Sequence, residues 1–206
     1  MLQVKNLFVD LGGFRLTADF EIERGSLISI VGPSGAGKST ILNALEGFIP
    51  LTSWVFKWNG SDITKLDPGL RPLSILFQDY NLFSHLTVKD NIAIGLRPNL
   101  KLDDSETEMV NSVIEQVGLS KFKFIKPFQL SGGQRTRVSL ARSIVRSKPI
   151  LLLDEAFSGL GPALRSEMIK LIKDKSIKEG ITLIMVSHHI KDAIAVSYTH
   201  LTLPTT

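Results

Sequence analysis

The sequence predicts an α/β fold built on a parallel sheet, and three observations predict it. The apolar runs "LISIV" at 27–31, "ILLL" at 150–153 and "ITLIMV" at 181–186 are continuous rather than alternating, the pattern of strands covered on both faces. Helical patterns at 39–46, 105–117 and 133–147 lie between those strands. A glycine loop, "GPSGAGKST", joins the first strand to the first helix.

Taken in order, Leu27–Val31 is a buried strand feeding the loop, and Ser39–Glu46 is a helix stopped at Gly47, where positive φ is easiest. "SILF" at 74–77 reads as a further strand. Residues 105–117 place Val110, Val113, Ile114 and Val117 at i, i+3, i+4 and i+7, an amphipathic helix ended by Gly118. A helix over 133–147 is closed by Pro149. The helix-rich stretch from about 80 to 140 is expected to be an inserted subdomain. A chain of 206 residues is long enough for one well-buried domain of this kind. Residues 1–196 are assigned to it, and 197–206 to an atypical tail that is expected to pack poorly. "LTLPTT" has no helix pattern, and its proline resists a central strand.

Hydrophobic content of 43% and charged content of 21% are ordinary for a soluble globular protein. The net charge of +4 is spread without a run of five basic residues, which reads as a solvated surface rather than a nucleic-acid footprint. The absence of cysteine excludes disulfides and thiolate metal sites. The longest apolar runs fall far short of the ~20 residues a bilayer helix needs. "MLQVKNLFVD" has no basic stretch followed by an apolar core, so no signal peptide is expected. A cytosolic protein follows, reaching a membrane only through a partner.

Gly32, Pro33, Ser34, Gly35, Ala36, Gly37, Lys38 and Ser39 match G-x-x-x-x-G-K-[ST] in its required setting, and Thr40 follows. The glycines let backbone amides close around phosphate oxygens at the positive end of a helix dipole. Lys38 is expected to reach the β- and γ-phosphates of a nucleotide, and the Ser39 hydroxyl to ligate Mg²⁺. The second metal anchor is Asp154, at the end of "ILLLD", where α/β sheets place their ligands. Glu155 follows and, by strand alternation, points away from Asp154 towards an attacking water. Gln78 and His188 stand at two further strand ends beside the same predicted crevice. Gln78 can bridge metal and water, and His188, rather than its neighbour His189, can contact the γ-phosphate.

A second glycine turn, "QLSGGQRTRVSLAR", begins at 129 and again runs straight into a helix. Leu130-Ser131-Gly132-Gly133-Gln134 resembles the signature of ATP-binding cassette (ABC) ATPases, and the order of all five motifs matches that family over residues 1 to about 195. "LFQDYNLFSHLTVKDNIAIGLRPNLKL", "PILLLDE" and "LIMVSH" look like the ATPase subunits of bacterial thiamine importers. The resemblance implies a P-loop NTPase that binds ATP and Mg²⁺ and hydrolyses ATP with Glu155, His188 and Gln78. It implies a homodimer packed head to tail, in which Ser131, Gly132, Gly133 and Gln134 complete the γ-phosphate shell of the other copy. Transmembrane permease subunits and a periplasmic substrate-binding protein are the further partners it implies, at the cytoplasmic face of a bacterial inner membrane. Asn81–Val88 would dock the permease. Importers of iron, sulfate or polyamines are the alternatives. A nucleic-acid ABC ATPase would separate its motifs with long coiled coils, and no sustained heptads occur; a P-loop kinase or small GTPase would lack "LSGGQ".

The chain departs from the family's pattern in four places. Ala156 stands where the family reads proline, and Gly161 where it has an interface aspartate. Leu11 occupies the usual register of the adenine-stacking aromatic, which leaves Phe8 or Phe14 for that role. After about Val196 the resemblance ends, and the family continues with further strands and a helix.

Overall fold

The computed structural model describes residues 1–33, 35–49, 51, 54–77, 81–187, 190–196 and 199–202, with backbone alone for 190, 191, 193 and 199–202. Among these residues the strands form two sheets. The first is antiparallel: β1 (Leu2–Leu11), β2 (Phe14–Ile22), β4 (Val55–Trp58) and β5 (Ser61–Asp62), in the order β2-β1-β4-β5. Its hairpins turn at Gly12–Gly13 and Asn59–Gly60, all four with positive φ, the turn geometry that matches the right-handed twist of strands.

The second sheet is parallel: β6 (Leu73–Leu76), β7 (Ile150–Asp154), β8 (Thr182–Val186), β3 (Leu27–Val31) and β9 (Thr199–Thr202), ordered β6-β7-β8-β3-β9. Helices α1 (Lys38–Glu46), α2 (Val88–Ala93), α3 (Asp104–Gln116), α4 (Gly132–Val145), α5 (Pro162–Glu179) and α6 (Ile190–Val196) connect and cover it. Alternation along the parallel strands divides the core. Ile28, Ile30, Ile150, Leu152, Ile184 and Val186 pack with Ile41, Leu42 and Leu45 of α1 and with the antiparallel sheet. Leu76, Leu151, Leu153, Leu183 and Met185 pack on the opposite face with α2 to α5. Each such side chain contributes about 1.5–3 kcal/mol by leaving water.

The consequence for function is positional. β8 lies between β7 and β3, and all three strands run parallel, so the loops that leave their C-terminal ends share one edge of the sheet. α1 stops as expected, at Gly47 with φ 88° and its N–H bonded to the carbonyls of Asn43 and Ala44. Buried Arg71 finishes that end, donating to the carbonyls of Ala44, Leu45, Thr64 and Leu66.

The helices lie within two residues of their expected ends, the ordinary play of a boundary. α4 ends early because Ser147 takes φ 48°, which an α-helix cannot continue through. The tail is a larger correction. The backbone of 199–202 pairs in register with Ile28–Val31 instead of packing loosely. Among the described residues it is an edge strand, paired on one side only.

Candidate active site

The glycine loop leaves β3 and enters α1 with Gly35 at φ 81° and Gly37 at φ 85°, conformations costly for any residue with a Cβ. At Gly37 space adds to conformation, since a Cβ there would meet the Phe14 ring at 2.6 Å. The Ala36 N–H turns back to the Pro33 carbonyl at 3.3 Å. Lys38, 6% exposed, donates through Nζ to the carbonyls of Gly32 and Pro33, both at 2.8 Å. Ser39 Oγ donates to Asp154 Oδ1 at 2.9 Å, across 115 residues of sequence. Burial raises the Asp154 carboxyl above its ordinary value, and the Ser39 hydroxyl opposes the shift.

Glu155 does not follow strand alternation. β7 ends at Asp154, and Glu155 takes φ 45° in the left-handed region, with its N–H bonded to the Val186 carbonyl of β8. This turn sets its direction. Glu155 shares a cleft of about 230 Å³ with Phe14, Gly35, Gly37, Lys38, Ser39 and Thr40. A non-glycine residue held at positive φ is strained, and such strain persists where the surroundings over-determine it.

The cleft combines loop amides at a helix N-terminus, a lysine, and a hydroxyl and a carboxylate within hydrogen-bond reach. That set suits a phosphate chain and a hard divalent cation that prefers oxygen ligands. Among the described residues Phe14 is the aromatic side chain that lines it; Phe8 and Leu11 are 48% and 53% exposed. Ser34, Gln78, His188 and His189 lie outside the described residues.

The second glycine turn is a separate surface. Ser131 is exposed and caps α4: its Oγ accepts from the Gln134 N–H at 3.3 Å, and Gln134 Oε1 accepts from the Ser131 N–H at 2.8 Å. A Cβ at Gly133 would strike Leu164 of α5. None of 131–134 lines the cleft that holds Lys38 and Glu155.

Sequence reading missed three functional supports. Asn91, fully buried, bonds the backbone of Phe83, Leu86 and Thr87 and pins the loop after β6. Glu46 at the end of α1 is 2% exposed, and among the described residues neither carboxyl oxygen has a hydrogen-bond partner. Burial, then the Asp154 charge, pushes its carboxyl up to about 8, with Arg71 opposing. The acid inside "ILNALEGF" was its only signal. Arg165, on α5, bonds the loop after Glu155 and carried no signal at all.

Known proteins resemble this chain in sequence and in fold. The family model "ABC transporter" matches residues 17–158. The Thiamine import ATP-binding protein ThiQ of Ruegeria sp. is 47% identical over 193 residues, covering 94% of this chain and 84% of that protein. Its counterpart from Vibrio vulnificus is 50% identical over 179 residues, covering 87% and 76%. Among solved structures, a dimeric post-hydrolysis state of the ATP-binding cassette MJ0796 bound to ADP and Pi superposes with TM-score 0.85 at 26% identity, over 100% of this chain and 97% of that one. Another dimeric structure of MJ0796, a bacterial ABC transporter cassette, gives TM-score 0.84 at 27% identity, over 98% and 94%. With a glycine loop feeding a helix, an acid pair at a strand end and a capped signature turn, this chain belongs to the ABC transporter family of ATP-hydrolysing cassettes.

Proposed function

We propose that the chain is the ATPase subunit of a bacterial thiamine importer, held at the cytoplasmic face of the inner membrane by its permease. The observation that carries the substrate is the 47–50% identity to thiamine import ATP-binding proteins over most of the chain. Residues 1–196 form the ATP-binding unit in this reading, with the helical subdomain at about 80–140.

In that role Lys38 offers its third ammonium proton to the β- and γ-phosphates, two being directed at its own loop. Ser39 and Asp154 supply oxygens to Mg²⁺, which when bound neutralises charge developing on the transferred phosphoryl group. The 2.9 Å contact between those two side chains supports the pairing. Glu155 holds the attacking water as general base. Gln78 and His188 act beside it, and Phe14 stacks on adenine.

Two copies pack head to tail, and Ser131, Gly132, Gly133 and Gln134 of one complete the nucleotide shell of the other. The exposure of Ser131, away from the chain's own cleft, supports this arrangement. The permease docks beside Asn81–Val88, where Phe77, Phe83, Arg142 and Arg146 line a groove of about 310 Å³. A Ser84→Cys variant should crosslink to permease cytoplasmic loops; crosslinks confined to the ATPase would contradict the docking.

Transport decides the substrate. Membrane vesicles holding the chain, its permease and its binding protein should accumulate labelled thiamine only with ATP inside. Accumulation of iron, sulfate or a polyamine instead would replace thiamine with that substrate.

A further inference from the structure

The segment after Glu155 makes a tight turn. The Ser158 N–H bonds the Glu155 carbonyl at 3.0 Å, and the Leu160 N–H bonds the Phe157 carbonyl at 3.1 Å. Backbone bonds alone leave such a turn free to shift against the sheet. Arg165, on the first turn of α5, reaches it from the side. Its Nε donates to the Phe157 carbonyl at 3.1 Å and its Nη2 to the Ser158 carbonyl at 3.0 Å. Its Nη1 stands 3.7 Å from Asp192 Oδ2 on α6, the helix that begins two residues after His188. Both side chains are mostly buried, at 18% and 12% exposure, so the pair is screened less than a surface ion pair. One planar guanidinium therefore spans the turn that carries Glu155 and the helix that follows the β8 loop.

We infer that Arg165, oriented by Asp192, is a positioning residue for ATP hydrolysis. It locks the turn after β7 so that Glu155 keeps its left-handed backbone and its aim into the cleft. Three features of the site call for such a brace. Glu155 is strained at φ 45°, and a strained residue relaxes unless its neighbours hold it. Ala156 follows it without the fixed φ a proline would supply. Gly161, at the start of α5, caps that helix without a side-chain bond and adds freedom where the turn ends. The guanidinium fork suits the task because it fixes two carbonyls at once, which a lysine ammonium on a flexible stem does not. Misplacing a general base by about 1 Å can cost ~10²-fold in rate while leaving nucleotide binding untouched.

This inference rests on Glu155 as the base, and the test separates the two. ATP affinity and the rate of hydrolysis at saturating MgATP are measured for the full chain and for R165A, R165K, D192N and E155Q. R165A should lose roughly tenfold or more in rate, with ATP affinity within about twofold and R165K and D192N falling between it and the parent. Loss of melting temperature and ATP affinity in step with rate would assign Arg165 to structure alone and overturn the inference. If R165A does not fold, the graded loss in R165K and D192N decides it, and parent-like rates in both would overturn it. An inactive E155Q beside a fully active R165A would overturn the brace and keep the base. An active E155Q would overturn both.

Discussion

Lys38 directs two of its three ammonium protons at carbonyls of its own loop, which fixes Nζ over the turn proposed to cradle phosphate. Lys38→Ala removes the cation facing charge that develops between the β- and γ-phosphates, so hydrolysis should fall ~10²-fold or more. A rate above about a tenth of the parent's, well short of that loss, would contradict its role. Glu46 gives a different prediction at the same scale. Its carboxyl lies at about 8 in the folded chain against 4.5 ordinarily, so the folded state binds the extra proton between those values. Its stabilising contribution is therefore complete below pH 4.5 and is lost as pH rises through about 8. Glu46→Gln should raise the melting temperature most on the alkaline side and flatten its dependence on pH. Parallel melting curves for the two proteins would rule this out. Lys38, Ser39 and Asp154 were legible because each sits in a linear motif at a strand end. Glu46, Asn91 and Arg165 were not, because their roles depend on partners that only the fold brings near.

At the scale of elements, continuous apolar runs marked the parallel strands well, since burial on both faces leaves no alternation to misread. β1 was illegible for a stated reason. Its inward residues Leu2 and Val4 give way to Leu7 and Val9 across a register shift at Asn6, where φ is 54°, so the period of two breaks in mid-strand. The same limit applies to Glu155, whose direction comes from a turn rather than from alternation. Gly161 carries the prediction for α5. A Cβ there meets open space, and its φ of −62° is ordinary, so Asp fits without strain. Gly161→Asp should stabilise the helix by a few tenths of a kcal/mol as an N-cap. It should also raise ATPase activity in the assembled transporter by giving the facing phosphate loop a carboxylate. An unchanged or lower rate would mean another group already serves the interface.

For the whole molecule, one sheet edge gathers the glycine loop after β3 with Asp154 and Glu155 after β7, because β8 lies parallel between those two strands. The alternation of elements announced that edge, whereas the antiparallel sheet and the pairing of 199–202 with β3 followed from tertiary contacts that no local pattern encodes. The signature turn stands outside the cleft of its own chain, and this separation supports the proposed two-copy ATP sandwich. The most direct test is the mass of the Glu155→Gln variant by size-exclusion chromatography with light scattering, in ATP and Mg²⁺. Removing the base while keeping its size should leave ATP bound and unhydrolysed, so a dimer should accumulate, and adding Ser131→Arg should dissolve it. A folded, ATP-loaded variant that stays monomeric would contradict both the base at Glu155 and the sandwich.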